Sequence, residues 1–571
     1  MRRLFGALAA IGLLALAGAA PAGPDTPEKL RAEAFEAAQW AIASDAADAL
    51  ARVSARFAQG DDALGRLAEE REALIVRRDR LERVLERFYA ADDPAGFEAR
   101  TLARTDWEAA TARLQAVDAE IEARFPAYSE LTSPRALTIA ETQALLRPDE
   151  GLLLVLVNPE ATYVWGVSRD RVAWARSESL DEAAVAEAVA RLRASLTTTA
   201  ARGPEVDPTL FAGRPTPVFE RSQSYRLYAE LVRPVEGVFE GKTTLITVVT
   251  GALTSLPMAV LSTEAPTGPD AGPDALTSTS WLVDRYALAS LPSVSSLRSL
   301  RCYLVADPAQ RSAGCPDMPG THARQAPAGP SLRLAAFGAP LLTGAPVEEV
   351  RGAPRADDVM GDGQLADVGK LKALPYLRGS RVELETLKAR YPDSVVRIGA
   401  EATEHAVRSL DAEALSRARF VVFSTHGLTA GSTAAEPGLV MTPPDAATED
   451  DDGYLSASEA AQLKLDAEFV VLSACNTAAS DGRPGGEGLS GLARAFFYAG
   501  ARSVMVSHWE VSDAATTALI TATFADLDDH AATDPGVRAR ALQAGMRAVR
   551  AERRWAHPAY WAAFTLVGEP G

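Results

Sequence analysis

FVVLSACNTAASDGRPGGEGLSGLARAFFYAG, residues 469–500, joins an apolar run, a cysteine, a glycine-rich loop and a helix-like segment closed by Gly500. The run FVVLS is apolar throughout instead of alternating, as expected of a strand buried on both faces. Upstream, FVVFSTHG (420–427) has the same character and ends in His426-Gly427. Outward from this pair, strands and helices alternate. Strand LRLAAFG (332–338) precedes helix RVELETLKARY (381–391). Strand SVVRIG (394–399) and helix TEHAVRSLDAEAL (403–415) follow. Helix SASEAAQL (456–463) separates the two opening strands, and Ser456 and Glu459 are spaced for a capping box. After Gly500 come strand SVMVSHW (503–509) and helix SDAATTALITATFADL (512–527). This order predicts an α/β fold, a parallel-rich sheet sandwiched by helices.

In an open parallel sheet, ligands bind outside the carboxyl ends of the strands. Two strands end there in reactive residues, His426 and Cys475. If the strands are neighbours, imidazole and thiol lie one strand spacing apart. The imidazole then takes the thiol proton, and the thiolate attacks a carbonyl. The start of the next helix favours the negative charge. The N–H groups of Cys475 and Gly427 are the candidate oxyanion donors. The loop GRPGGEG (482–488), with Gly486 and Glu487, would line the substrate groove.

Blander readings compete. A buried cysteine is often a small apolar filler, and THG can be a satisfied strand-end histidine. GGEGLSG lacks both the dinucleotide fingerprint and a Walker lysine. A zinc site from His426, Cys475, His508 and His557 lacks ligand spacing. EDDDG (449–453) lacks the EF-hand pattern and reads as a solvated loop. No cofactor and no metal are expected.

The chain divides into four parts. Residues 1–22 have Arg2 and Arg3, an apolar run from Leu4 to about Ala17, and an Ala20-Pro21-Ala22 cleavage site, as in a secretory signal peptide. The other reading is an uncleaved anchor, but the run is shorter than a membrane span of roughly 20 residues. Export to the periplasm or medium is expected, with no stable span after cleavage. Residues 25–130 read as a coiled-coil-like helical bundle. Leu67, Leu74, Leu81 and Phe88 recur at heptad spacing, AADDPAG breaks the pattern, and Leu114, Val117, Ile121 and Phe125 mark a second helix stopped by Pro126. No convincing 34-residue repeat is found. This front is either a partner-docking arm or a structural cap. Residues 135–330 read as an α/β half without a catalytic constellation, opening with a meander LLLVLV, TYVWGV, VAWAR. Residues 331–571 carry the candidate site.

The three cysteines are too few for a disulfide scaffold. Cys302 and Cys315 flank a short loop. They either pair in an oxidising compartment, leaving Cys475 as the lone thiol, or all three stay reduced. A net charge of -18 opposes binding to phosphate backbones, so no nucleic-acid partner is expected.

Cys475 follows His426 by 49 residues, the caspase-type order and spacing. The fuller pattern resembles the CHAT family, caspase-like domains often found beside tetratricopeptide repeats. The stretches that carry the resemblance are VVFSTHG, GYLSASEAAQLKLDAEFVVLSACNTA, GGEGLSGLARAFFYAGARSVMVSHWEVSD and HPAYWAAFTLVGE. GALTSLPMAVL, YALASLPSVSSL and LPYLRGSRVELETL add to it upstream, so it covers roughly 225 to 571. The resemblance implies a cysteine endopeptidase fold of the caspase, gingipain and separase clan. His426 would be the general base, Cys475 the nucleophile and Gly427 an oxyanion donor. HWEVSD resembles a separase stretch whose last acidic residue faces a P1 arginine, so Asp513 would select a basic P1 residue. Asp513, just after Ser512, is equally placed to cap a helix. His508 stands where the family more often has an apolar residue. The repeat array of many relatives is absent or reduced.

Three functions follow. The first is an exported cysteine peptidase acting on protein or peptide, latent until triggered. The second is a non-catalytic scaffold of caspase-like fold that binds a partner through its N-terminal helices. The third, a serine hydrolase or nucleotide enzyme, lacks both the G-x-S-x-G elbow and the dinucleotide fingerprint.

Overall fold

The computed structural model describes residues 26–42, parts of 67–85, 97–124, 136–200, 218–270, 273–303, 312, 314–315, 332–344, 355–361, 365–410, 415–429, 436–448, 450–474, 477–478, 491–509, 512–530 and 534–571. The strands are β1 (Glu150–Val157), β2 (Thr162–Ser168), β3 (Val172–Ser177), β4 (Thr244–Val249), β5 (Ala287–Ser290), β6 (Leu332–Gly338), β7 (Val395–Ile398), β8 (Ala418–Ser424), β9 (Gly427–Leu428), β10 (Gly438–Val440), β11 (Tyr454–Ser456), β12 (Phe469–Ser473), β13 (Ser503–Ser507) and β14 (Phe564–Gly568). The principal helices are α1 (Pro27–Trp40), α2 (Phe97–Arg124), α3 (Glu182–Ala200), α4 (Arg221–Leu231), α5 (Arg378–Arg390), α6 (Gly491–Ala499), α7 (Asp513–Asp529) and α8 (Val537–Ala551).

Eleven strands form one sheet, in the order β3-β2-β1-β4-β5-β14-β13-β12-β8-β6-β7. β1 to β3 are an antiparallel meander. β6, β7, β8, β12 and β13 run parallel. β14 departs from the alternating pattern: it is antiparallel to β13 and parallel to β5. Two successive helices, α7 and α8, separate β13 from β14, so the chain re-enters the sheet from the opposite end. The sheet therefore runs through both the 135–330 and the 331–571 regions, with β14 as the seam. β9, β10 and β11 form a second, small sheet beyond the end of β8.

Burial follows the pleat. Along β8, Phe420 and Val422 face one core while Val421 and Phe423 face the other; along β12, Phe469 and Val471 alternate with Val470 and Leu472. Helices α5, α7 and α8 cover the first face through Leu384, Leu387, Leu519, Phe524, Leu542 and Met546. Helix α6 and the N-terminal helices cover the second through Phe496, Phe497, Phe35 and Val117. Two covered faces explain the unbroken apolar strands, and each such side chain contributes about 1.5–3 kcal/mol.

The helical front packs on the second face. Phe35 meets the Trp165 ring edge-on, with centroids 6.3 Å apart. The Gln39 amide donates to the Leu137 carbonyl at 2.8 Å and accepts the Leu137 N–H at 2.9 Å. The helical segment containing Glu70 and Arg71 is tied to α2 by Arg71–Asp118 at 2.6 Å and Arg113–Glu70 at 2.7 Å. Leu67 is buried and Leu74 and Leu81, at heptad spacing from it, are half-buried; Leu114 and Val117 of α2 are buried. The signal-like residues 1–22, Phe88, the AADDPAG break, Phe125 and Pro126 lie outside the described residues. Among the described residues no helix is long and apolar enough to cross a membrane.

Near the sheet's amino end, Arg301 is buried between two carboxylates. It donates to Glu150 at 2.6 and 2.7 Å, to Glu569 at 3.0 and 3.1 Å, and to the Leu145 carbonyl at 2.7 Å. This joins the start of β1 to the end of β14. Cys302, the next residue, is disulfide-bonded to Cys315.

Candidate active site

β8 and β12 are neighbours in parallel register, with Ser424 opposite Ser473. His426 and Cys475 each lie two residues beyond these serines, on strands about 4.8 Å apart. Cys475, Gly486 and Glu487 lie outside the described residues, but both flanks of Cys475 are anchored. The Ser507 hydroxyl, at the end of β13, donates to the Ala474 carbonyl at 2.5 Å. The Ser507 N–H donates to Thr477 Oγ1 at 2.8 Å, and the Ala478 N–H donates to the Ser507 carbonyl at 2.7 Å. The chain thus leaves β12 and is pinned again at Thr477 and Ala478.

His426 sits at that end, partly buried. Its Nε2 lies 2.7 Å from the Pro375 carbonyl. A carbonyl only accepts, so Nε2 carries the hydrogen and Nδ1 keeps its lone pair. Burial lowers the imidazole pKa below its usual value, and the Pro375 carbonyl partly opposes that shift. The ring is therefore neutral at neutral pH, with a free basic nitrogen. Gly427 opens β9 and pairs with Leu439, so the chain turns from the histidine directly into the small sheet.

Pro375 is held in turn. It lies just before α5, whose first N–H groups have no partner within the helix. The Asp513 carboxylate accepts the Gly379 N–H and also that of Ser380. Asp513 thus caps the start of a neighbouring helix rather than its own. A Cβ at Gly379 would lie 2.4 Å from the Asp513 carboxylate, so a larger residue there would push that side chain aside. Burial raises the Asp513 pKa, and the two N–H groups oppose the rise. At the far end of α7, Asp528 accepts from Arg390 and from the Tyr391 hydroxyl, the latter at 2.9 Å. Helix α7 therefore clasps α5 at both ends.

One turn into α5, Glu383 is fully buried. It receives the Ser473 hydroxyl at 2.9 Å, and the Ser424 hydroxyl acts on it from the neighbouring strand. Burial pushes its pKa up to about 8, against the two hydroxyls, and the Asp513 charge adds to the rise. Neither Pro375 nor Glu383 was identified from sequence. For Pro375 no local signal exists, since its partner lies 51 residues away. Glu383 had one: it shares the buried stripe of α5 with Ser380, Leu384 and Leu387, where a carboxylate is out of place.

The remaining polar candidates have local structural partners. His508 is buried, bonds Thr565 Oγ1 at 3.0 Å, and is pushed down to about 3 by burial and the Arg193 charge. His557 Nδ1 accepts the Ala559 N–H at 3.2 Å as a helix cap. In the acidic run, Asp452 is buried, contrary to a solvated loop, and accepts the N–H groups of Ala366 and Tyr454. The capping box of Ser456 and Glu459 is present.

The curated relatives share only a short stretch. Mouse tetratricopeptide repeat protein 28 is 36% identical over 115 residues, which is 20% of this chain and 4% of that protein. Its human counterpart is 34% identical over 115 residues, with the same coverage. Among solved structures, a chain of the Saccharomyces cerevisiae separase–securin complex aligns with 82% of this chain and 33% of its own, at TM-score 0.39 and 11% identity. A chain described as a protease aligns with 61% of this chain and 67% of its own, at TM-score 0.32 and 12% identity. The family model described as CHAT domain matches residues 221–569, more than half of the sequence, and the chain belongs to that family.

Proposed function

We propose that this chain is a cysteine endopeptidase in which Cys475 is the nucleophile and His426 the general base. The observation that supports the reading is the parallel register of β8 and β12, whose last residues, Ser424 and Ser473, each stand two positions before one member of the pair. Neutral His426, with Nε2 committed to Pro375, keeps Nδ1 for the thiol proton. The thiolate then bonds to the substrate carbonyl carbon, and the N–H groups of Cys475 and Gly427 receive the oxyanion. His426 returns the proton to the amine as the C–N bond breaks. Water, deprotonated by His426, releases the acyl group from sulfur.

The loop with Gly486 and Glu487 lines the groove. Asp513 gives the site a preference for a basic P1 residue. A carboxylate has roughly four lone-pair sites; two N–H groups occupy part of that capacity and the rest faces substrate. Residues 1–22 direct export, so the enzyme acts in the periplasm or medium, and activity waits for a trigger.

A second reading is supported by surface chemistry. Trp40, Leu30 and Leu102 of the N-terminal helices are 71%, 50% and 66% exposed. Such apolar side chains suit a docking arm for a protein partner, and a scaffold role would use that arm without chemistry.

Thiol-reactive peptide probes with P1 Arg or P1 Asp separate these readings on the mature protein. Cys475→Ala should abolish labelling, and His426→Ala should slow it by about 10²–10⁴-fold. Because the His426 pKa is lowered, labelling should hold its plateau below the pH at which a free imidazole would protonate. No labelling above Cys475→Ala, with partner binding lost on deletion of residues 25–130, would favour the scaffold.

A further inference from the structure

Glu383 is a buried acid that the proposed chemistry does not use. Among the described residues no cation acts on it. From α7 the charge that acts on it is Asp513, of like sign. Arg333 of β6 is paired with Asp528, and Arg397 of β7 with Glu401. On its own helix, Arg381 is paired with Glu385 and bonded to the Tyr376 hydroxyl at 3.0 Å. Among the described residues, β8 and β12 offer it the Ser424 and Ser473 hydroxyls, and His426 follows two residues after Ser424.

Two further atoms define the site. Glu383 Oε1 and Ser424 Oγ are both buried and lack a well-aligned hydrogen bond. The other oxygen, Oε2, already receives Ser473. An ionised carboxyl would be a buried charge met by hydroxyls and by no described cation, which is unfavourable. A proton on Oε1 removes the charge and provides a donor for Ser424, satisfying both orphaned atoms.

We propose that Glu383 is a positioning residue that carries a proton and clamps Ser424 to Ser473, the residues that end β8 and β12 two positions before His426 and Cys475, and that loss of this proton opens the clamp. The inference rests on the reading of His426 and Cys475 as a pair. It makes the site regulated by pH: assembled in acid and neutral solution, loosened in alkali. Burial supports the same direction, since it places ionisation at about 8. Stability from the neutral carboxyl is fully present below the unfolded value near 4.5 and is lost as pH rises through about 8.

The test needs no substrate. The sequence has three cysteines and two are disulfide-bonded, so iodoacetamide reports on Cys475 alone. Alkylation rate and thermal unfolding are measured from pH 5 to pH 10 on the full chain, as wild type, Glu383→Gln, Ser473→Ala and His426→Ala. Glutamine keeps the shape, the donor and the acceptor without a proton to lose. The expected result is that wild type loses stability with rising pH relative to Glu383→Gln. The ratio of their alkylation rates should change severalfold over the same range. Ser473→Ala, which removes one arm, should move toward the alkaline wild-type behaviour at neutral pH. Parallel unfolding curves for wild type and Glu383→Gln would overturn the proton. A difference in unfolding with parallel alkylation curves would overturn the clamp. His426→Ala distinguishes the failures. Alkylation that depends on His426 but ignores Glu383 breaks the clamp and leaves the dyad. Alkylation that ignores His426 but follows Glu383 breaks the dyad and leaves the clamp.

Discussion

Two buried acids lie against one sheet and meet opposite fates. Glu569, at the end of β14, is flanked by Arg301 and Arg147. Burial disfavours its charge, but the two guanidiniums outweigh it and hold the carboxyl well below the usual range. Glu383, at the carboxyl end of β8 and β12, has two hydroxyls and a like charge, and burial drives it the other way. The first acid is a permanent ion that fastens two strands. The second is poised to titrate at about 8, bonded to the serine that ends β12. A full set of partners marks a structural site; an incomplete set marks a candidate functional one.

Removing each partner set should expose the contrast. Arg301→Ala strands two buried carboxylates and should cost about 3–5 kcal/mol, read by denaturant unfolding. Glu569→Gln should lose less, because Arg301 keeps Glu150. Its loss should persist at pH 8, where Glu383→Gln instead gains stability relative to wild type. Equal effects of the two glutamine variants at pH 8 would erase the distinction. Replacing Cys302 and Cys315 by serine should cost about 3 kcal/mol through loop entropy, measured with and without reductant, and should leave the alkaline transition of Glu383 unmoved. Asp513→Asn should have the smallest effect, about 1 kcal/mol from a weakened cap. If Asp513 also reads P1, the variant loses discrimination between P1 Arg and P1 Asp probes. If it only caps α5, discrimination stays and His426 titrates differently through the Pro375 loop.

Much of this was legible in sequence. The apolar runs ending in His426 and before Cys475 predicted buried parallel strands, because two covered faces leave no polar alternation to keep. The heptad leucines, the meander and the Ser456–Glu459 cap depend on neighbours in sequence, so local pattern carried them. β14 was different. FTLVG gave no sign that it would run antiparallel, since its direction depends on how α7 and α8 return the chain. The reading of Asp513 as a cap for its own helix also failed: its carboxylate caps α5, more than a hundred residues away.

By itself, then, the sequence determined the strands, the faces they bury and the two candidate residues, His426 and Cys475, that follow two of them. These follow from side-chain period and hydrophobicity, which act within a few residues. Only the tertiary structure decided that β8 and β12 are neighbours, that Pro375 holds the imidazole and that Glu383 receives the Ser473 hydroxyl. Those contacts join segments distant in the chain, and their energies depend on burial and partner geometry. Neither quantity exists until the sheet has closed around them.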